Sequence, residues 1–395
     1  LTLFPGLIDD QVHFREPGMT HKGDIASESR AAMVGGITSF MEMPNTVPFT
    51  STRGLLEDKF DSAARGAFAN YSFYMGASND NIDQIKAVDP SRVCGIKVFM
   101  GASTGNMLVD DPRVLEQIFA QAPTIVATHC EDTPIITQNE RAFREKYGND
   151  VPVHYHPVIR STDACYKSSS LAVSLAQRLG TQLHLLHLST EKELSLLTAA
   201  PLEGKQITAE VCVHHLYFSN EDYAAKGALI KCNPAIKTPQ DRDALVQGVI
   251  DNRIDMVATD HAPHTAVEKD NHYFKSPSGL PLVQHSLQCL LEHYHEGRFS
   301  LPLIAEKAAH APAERFCIKE RGYIREGYWA DGVLVDLNTP HAVSEHPIYY
   351  RCGWSPFADH TFRSTITTTI VSGHLGYHQG KIDPTPAGRR LAFDR

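Results

Sequence analysis

Eight short apolar runs recur along the first 262 residues, and amphipathic stretches of helical length separate them. The runs cover residues 6–14, 36–43, 71–76, 95–100, 124–130, 182–189, 207–215 and 256–262. Helical periodicity marks stretches such as 23–34, 112–121, 168–179 and 239–251, the last preceded by the capping residue Thr238. Near-continuous apolar strands alternating with helices predict parallel strands covered on both faces. Eight such units favour a closed (β/α)8 barrel over an open doubly wound sheet, and no GxGxxG follows the first strand.

The sequence changes character after about Cys317. The stretches GYIREGYWADGVLVDLNTP and TFRSTITTTIVSGHLGYHQGKI are typical of short strands joined by Gly and Asp turns. We therefore predict a catalytic barrel over residues 5–316 and an accessory β-sandwich layer over residues 317–395 with residues 1–4. That layer would be a remnant of a larger sandwich. The edge of its sheet would be exposed to solvent, covered by another subunit, or unpaired because this sequence lacks the partner strands.

The composition of the chain limits the classes of partner that the protein can bind. Hydrophobic residues make up 42% and charged residues 21%, as in soluble globular proteins, and no 18-residue apolar run or signal-peptide pattern is found. The net charge of −9, without a basic face, argues against nucleic acid and against a membrane. Eight singly scattered cysteines indicate reduced thiols in the cytoplasm. We expect a cytoplasmic protein that binds a small molecule, and the sequence allows a homodimer.

Polar residues stand where the predicted strands end, which is where barrels of this kind carry their catalytic groups. These residues are Gln11, His13, Arg15, Asn45, Lys97, His129, His187, Asp260 and His264. Gln11 and His13 share a face, because side chains two apart on a strand point the same way. Three histidines and an aspartate at strand ends suit Zn²⁺, although this set also suits other divalent metals.

A lysine inside the apolar strand CGIKVFMG needs an explanation, because a charged ammonium is costly to bury. One interpretation is that Lys97 pairs with Asp260 or Glu131. The other is that its deprotonated amine has reacted with CO₂ to give a carbamate, a carboxylate-like group that bridges two metals. The surrounding histidines favour the second interpretation.

Nine segments, in order and spacing, carry a resemblance to a known family. They are PGLIDDQVHFREPG, GGITSFMEMPNT, GIKVFMG, ATHCED, LHLLHLST, TAEVCVHHL, CNPAIKT, ATDHAPH and YRCGWSPF. The chain resembles the amidohydrolase superfamily nearly end to end and, within it, the dihydroorotases of the long type with an accessory β-sandwich. The resemblance implies the (β/α)8 barrel fold and a metal-dependent hydrolase.

The resemblance also implies the ligands. One metal would be held by Gln11, in place of the usual histidine, with His13, Asp260 and a carboxylated Lys97 that bridges to the second metal. The second metal would be held by Lys97, His129 and His187. Because an amide oxygen is a poor zinc ligand beside imidazole, we expect one firmly bound zinc and a weaker second one.

The implied reaction is the reversible hydrolysis of (S)-dihydroorotate to N-carbamoyl-L-aspartate in de novo pyrimidine biosynthesis. A metal-bound hydroxide would attack the ring amide carbonyl, and Asp260 would shuttle the proton to the leaving nitrogen. The substrate carboxylate would be bound by Arg15, Asn45 and His264. The ring amides would be held by Asn233, Ser278 and Gly279.

Three alternatives stay open. Another cyclic amidase, an allantoinase or a dihydropyrimidinase (hydantoinase), would share the metal residues, but Arg15 with Asn45 favours a substrate that carries a carboxylate. A non-catalytic dihydroorotase-like scaffold is favoured by Gln11 alone. The third alternative gives two of these residues structural roles instead of substrate binding: Arg15 would form a salt bridge with Glu16, and Asn45 would be a turn residue.

Overall fold

A computed structural model describes residues 1–101 and 107–395. The chain enters through strand β1 (Thr2–Pro5), and the next eight strands form a parallel sheet with neighbours in chain order. These strands are β2 (Leu7–Val12), β3 (Ile37–Glu42), β4 (Asn70–Gly76), β5 (Gly95–Phe99), β6 (Val126–His129), β7 (Leu183–Leu185), β8 (Ile207–Cys212) and β9 (Met256–Ala258). A parallel bridge between Val12 and His261 brings the last strand against the first. The predicted barrel is confirmed.

Helices follow the barrel strands, and their caps are readable in the sequence. They are α1 (Ile25–Val34), α2 (Arg53–Gly66), α3 (Ile82–Lys86), α4 (Pro112–Gln121), α5 (Thr133–Tyr147), α6 (His156–Ile159), α7 (Thr162–Leu179), α8 (Val213–Tyr217), α9 (Tyr223–Lys226), α10 (Pro239–Ile250), α11 (Ala266–Lys269), α12 (Ser286–His295), α13 (Leu301–Ala305) and α14 (Ala311–Arg315). Helix α10 begins at the predicted place, where the Thr238 side chain accepts a hydrogen bond from the Asp241 amide.

Two apolar clusters account for most of the core. The larger one contains strand and helix side chains such as Phe40, Leu56 and Leu287, which pack between the barrel and its helices. The other contains Ile8 of β2 and Ala127 of β6. Because these strands lie on opposite sides of the barrel, this second cluster fills the barrel interior and leaves one end for polar groups.

An antiparallel sheet accompanies the barrel. Its order is β1–β10–β13–β14–β15, where β10 is Gly332–Asp336, β13 Thr365–Val371, β14 His374–His378 and β15 Lys381–Ile382; β11 (His341–Ala342) and β12 (Thr361–Phe362) form a separate pair. The end of the chain returns to the barrel, where the Leu391 amide donates to the Tyr71 carbonyl at 2.9 Å. The division into residues 5–316 and 317–395 with 1–4 stays a prediction.

The predicted seventh barrel strand is too long. It ends at Cys212, and Val213 begins helix α8, which contains His214 and His215. An apolar run of this length does not distinguish a buried strand from a buried helical turn, since both bury every side chain. All eight cysteines are free thiols. In the described ranges, we find no helix with the length and hydropathy that a membrane span requires.

Candidate active site

A cavity of about 200 Å³ opens at the carboxyl ends of the barrel strands. All twelve residues predicted for the site line it: Gln11, His13, Arg15, Asn45, Lys97, His129, His187, Asn233, Asp260, His264, Ser278 and Gly279. A larger cavity of about 660 Å³ lies where the strands begin, and no histidine of the described residues lines it. We therefore take the smaller cavity as the candidate active site. The roles of its residues stay predictions.

Backbone strain marks the same place. Arg15, His187 and Asp260 have φ angles of 71°, 38° and 50°, in the left-handed region that residues other than glycine seldom adopt. Such strain costs about 1–3 kcal/mol per residue and persists only where surrounding contacts impose it. The left-handed backbone directs these three side chains toward the cavity, at positions that closely follow the ends of barrel strands.

His129 and His187 form one side of the cavity. The His129 Nε2–H donates to the Glu131 carboxylate at 3.0 Å, which leaves Nδ1 as a lone pair, 2.9 Å from His187 Nε2. The Arg160 Nη1 lies 2.5 Å from the same Glu131 oxygen. Burial alone would raise the pKa of Glu131, but Arg160 and His129 outweigh it and lower the pKa to about 2. Burial lowers the pKa of both histidines, so their imidazoles are neutral.

His13 and Asp260 form the opposite side. The His13 Nδ1–H donates to the Asn45 side-chain oxygen at 2.6 Å, so Nε2 presents its lone pair to the Asp260 Oδ1 at 3.0 Å. Burial lowers the pKa of His13, which keeps the ring neutral. The Gln11 amide donates to the same Oδ1 at 3.2 Å, and the Cys212 thiol lies 3.7 Å from the Gln11 oxygen. Gln11 is therefore a hydrogen-bond partner of Asp260.

Lys97 lies between these two sides, 1% exposed. Its ammonium sits 4.7 Å from the Phe99 ring centroid. Among residues 1–101 and 107–395, no carboxylate oxygen lies within 4.0 Å of it, so the predicted ion pair with Asp260 or Glu131 is not formed. Burial lowers the pKa of Lys97 to about 8, which makes the neutral amine accessible near physiological pH.

Arg15 and His264 form the third part of the cavity. The Arg15 Nε donates to the Pro263 carbonyl at 3.1 Å, and the predicted alternative, a salt bridge with Glu16, is not among the ion pairs of the described residues. His264 Nδ1 lies 3.1 Å from the Lys22 ammonium. His264 Nε2 lies 3.1 Å from both the Ser278 carbonyl and Arg15 Nη2.

The surroundings of His264 fix its tautomer. Burial, with the nearby Arg15 and Lys22, lowers the pKa of His264 well below its usual range, so one ring nitrogen carries a proton and the other accepts. An ammonium can only donate, hence Nδ1 accepts from Lys22 and Nε2–H donates to Ser278. The Arg15 Nη2 then has no acceptor on His264 and can donate to a ligand in the cavity that Arg15 lines.

Comparison with known proteins bears on this geometry. The sequence pattern of the amidohydrolase family matches residues 2–376. The chain belongs to the amidohydrolase family. It is 33% identical over 360 residues to a dihydroorotase from Halobacterium salinarum, an alignment that covers 91% of this chain and 82% of the relative. It is 31% identical over 405 residues to an allantoinase from Solibacter usitatus, covering 99% and 87%.

A solved structure bears out the fold of this amidohydrolase. The L-hydantoinase (dihydropyrimidinase) from Arthrobacter aurescens superposes with a TM-score of 0.92 at 24% identity and covers 99% of this chain and 88% of its own. At that identity the likeness concerns the fold alone. Together the findings confirm the prediction of a cyclic amide hydrolase.

The donor atoms of this amidohydrolase fit a divalent metal. His129 turns a lone pair toward the neutral His187, and His13 turns one toward the Asp260 carboxylate oxygen. In the second pair, both atoms are acceptors that face each other at 3.0 Å, an arrangement that a cation between them would stabilise. Imidazole and carboxylate are the ligands that zinc and related divalent ions take.

A second layer of polar groups lies beneath the cavity. Glu210 accepts from the His187 amide at 3.1 Å, and its other oxygen lies 3.2 Å from His184 Nε2, which is also 3.2 Å from Asp10. Asp10, His184 and Glu210 have donor atoms within 4.8 Å of one another, as do Cys212, His214 and His215, so each group could hold a metal ion. The contact to the His187 amide supports the backbone at His187.

Several residues that shape the site were missed by the sequence reasoning. Glu28 accepts from His261 Nε2 at 2.8 Å and thereby orients the residue after Asp260. The Trp354 indole N–H donates to the His264 carbonyl at 2.7 Å. A polar side chain inside an apolar run indicates that it has a buried partner. The sequence does not show which residue that partner is, because it lies more than 80 positions away.

Proposed function

We propose that this amidohydrolase is a zinc-dependent dihydroorotase of the cytoplasm, which interconverts (S)-dihydroorotate and N-carbamoyl-L-aspartate in pyrimidine biosynthesis. One observation carries the proposal. The Arg15 guanidinium is 6% exposed and lines the cavity, yet no carboxylate of the described residues lies within 4.0 Å of it. A buried cation without a direct ion pair favours an anionic ligand.

The neighbours of Arg15 support a carboxylate there. Lys22 and Ser278 engage both nitrogens of His264, so the Arg15 Nη2 protons stay available. Asn45 uses its oxygen on His13 and keeps its amide protons for the cavity. Arg15 and Asn45 could therefore both donate hydrogen bonds to one carboxylate. That carboxylate would be a substituent of the substrate ring rather than part of the reacting amide.

The ring amides have complementary groups. The Asn233 side-chain oxygen is buried and has no hydrogen-bond partner in residues 1–101 and 107–395, so it can accept a ring N–H. The backbone of Ser278 and Gly279 also lines the cavity. A six-membered ring with two N–H groups and one carboxylate matches this arrangement.

The metal proposal follows the donor set. Lys97, His129 and His187 would hold one zinc firmly, and His13 with Asp260 a second, weaker one, because Gln11 directs its amide to Asp260. When bound, the metal supplies Lewis-acid activation of the amide carbonyl and of the attacking water. To become such a ligand, the neutral Lys97 amine would attack the carbon of CO₂. An N–C bond forms as one C–O π bond breaks, and one amine proton leaves to solvent, which yields a carbamate.

Asp260 moves the proton. Its carboxylate takes the proton of the attacking water as general base and returns it to the amide nitrogen that leaves the carbonyl. The Gln11 N–H and the strained backbone hold the carboxylate toward the cavity, while Arg15 fixes the substrate by its carboxylate. The reverse reaction uses the same groups in the opposite order.

Allantoin hydrolysis is the second candidate function. The allantoinase from Solibacter usitatus aligns with 99% of this chain, against 91% for the dihydroorotase from Halobacterium salinarum. Allantoin carries no carboxylate, so Arg15 would have no anion to bind during that reaction. The two functions therefore differ in what Arg15 contributes.

The test is Arg15→Met, measured on dihydroorotate, allantoin and dihydrouracil. We expect kcat/KM for dihydroorotate to fall at least about 100-fold, since a charge-assisted hydrogen bond contributes roughly 1.5–3 kcal/mol and an unpaired carboxylate adds its desolvation cost. Any turnover of the two neutral substrates should change by less than about threefold. The exposed Arg141, changed to Met, is the matched control. Equal losses on all three substrates would refute the carboxylate role.

A further inference from the structure

One wall of the cavity has no regular secondary structure. Residues 271–282 run as turns and extended backbone, yet Ser278 and Gly279 of this segment line the cavity. The Gly279 backbone has a φ of 141°, and a Cβ there would come within 2.4 Å of the Ala262 carbonyl. The segment is therefore pressed against the loop after β9, and something other than a helix or strand must hold it there.

Lys269 holds it by three carbonyl oxygens. This lysine ends helix α11 and is 1% exposed. Its ammonium donates to the carbonyls of Lys231 at 3.1 Å, Pro277 at 3.0 Å and Gly279 at 3.0 Å. An ammonium has three protons, so each finds one acceptor. No carboxylate of the described residues lies within 4.0 Å of it.

Lys231 holds the segment from the other side. Its ammonium donates to the carbonyls of Tyr273 and Ser276, both at 2.6 Å. Its own carbonyl accepts from the Gly279 amide at 2.9 Å as well as from Lys269. The Ser276 hydroxyl completes the set by donating to the Lys269 carbonyl at 3.0 Å. Two buried ammonium groups thus fix residues 273–279 through hydrogen bonds to their backbone carbonyls.

These lysines are costly, and the proposed reaction does not use them. Burial lowers the pKa of Lys269 to about 7 and that of Lys231 to about 8, which reflects the price of keeping a cation away from water. Apolar side chains would fill the same space without that cost. What they could not supply is three directed bonds to the backbone beside Ser278 and Gly279.

We propose that Lys269 is a positioning residue, which fixes the carbonyls and amides of residues 276–279 in the orientation that receives the substrate ring. Lys231 acts with it. The substrate in this statement rests on the proposed function, whereas the order of the segment does not. The prediction is a loss of binding with the proton transfer at Asp260 preserved, since Lys269 touches neither the metal ligands nor the reacting atoms.

The experiment compares Lys269→Met with Lys307→Met in the metal-loaded enzyme. Lys307 is a matched control, a lysine that is 3% exposed, bonds to Asn252 and does not line the cavity. Amide hydrogen exchange is followed by mass spectrometry without substrate. For Lys269→Met we expect exchange in residues 273–282 at least about tenfold faster and the barrel strands unchanged. We expect KM for dihydroorotate to rise at least about tenfold with kcat within about threefold.

Each outcome decides the proposal. Unchanged exchange in residues 273–282 overturns it, and so does faster exchange spread over the barrel strands or the same change in Lys307→Met. If Lys269→Met does not fold, Lys269→Gln, which keeps two donor protons, carries the test; if both fail to fold, the lysine serves the whole fold and the proposal is overturned. A local rise in exchange without any dihydroorotate turnover would refute the proposed function and leave the positioning role supported.

Discussion

Arg160→Met should destabilise the protein by an amount that depends on pH. The Arg160 guanidinium lies 2.5 Å from a Glu131 oxygen, and Glu131 is 0% exposed. Without the guanidinium, the carboxylate keeps only its hydrogen bond from His129 at 3.0 Å. A buried carboxylate that loses its cation is among the costlier defects that a single substitution creates.

The pKa of Glu131 sets the magnitude. The difference between its ordinary value of 4.5 and the folded value of about 2 corresponds to about 3 kcal/mol. Because the folded-state pKa is lowered, this stabilisation is fully present above pH 4.5 and is lost as the pH falls toward 2. Because His129 accounts for part of this shift, we expect Arg160→Met to lose between about 1 and 3 kcal/mol at pH 7 and about half of that at pH 3.

Urea unfolding followed by circular dichroism at both pH values measures the loss. The control is Arg141→Met, which breaks an exposed pair with Glu145. Surface pairs of this kind contribute less than about 1 kcal/mol, so the control should change little at either pH. A loss below about 1 kcal/mol for Arg160→Met at pH 7, or an equal loss at pH 3, would show that the Arg160–Glu131 pair does not stabilise the fold in this way.

Two further predictions concern the cavity itself. Gln11→His should raise the metal retained after dialysis from one to two equivalents, measured by plasma mass spectrometry, since it adds an imidazole beside His13; two equivalents in the unsubstituted protein would contradict the account. Lys22→Met should remove the donor to His264 Nδ1 and leave the ring held only by its Nε2–H bond to the Ser278 carbonyl, so that KM for dihydroorotate rises several-fold. The ¹⁵N shifts of the His264 ring should show an Nδ1 that has lost its hydrogen bond, and an unchanged Nδ1 shift would oppose this prediction.

The barrel and the set of cavity residues follow from local sequence features. Strand positions are visible because buried parallel strands are apolar on both faces, and a polar residue such as His129 at the end of such a run stands out. The parallel arrangement then brings all strand ends to one mouth. The failure at His214 and His215 has a local cause too, because an apolar run alone does not separate a strand end from a helical turn.

The partners of the cavity residues could not be predicted, because they come from distant parts of the chain. Gln11 bonds to Asp260 across 249 positions, and nothing near Gln11 indicates a donor role rather than a weak metal ligand. Lys22 reaches His264 across 242 positions. Register between distant loops depends on the assembled barrel, so side-chain pairs of this kind become visible only in three dimensions.

Turnover of dihydroorotate by the zinc-loaded protein distinguishes a dihydroorotase from the other cyclic amidases. Loss of dihydroorotate is followed by its ultraviolet absorbance, with allantoin and dihydrouracil assayed in parallel on the same preparation. We expect a kcat/KM for dihydroorotate at least about 100-fold above that for either neutral substrate, and its loss on chelation. Faster turnover of allantoin, or no turnover of dihydroorotate by folded protein with zinc bound, would contradict this expectation.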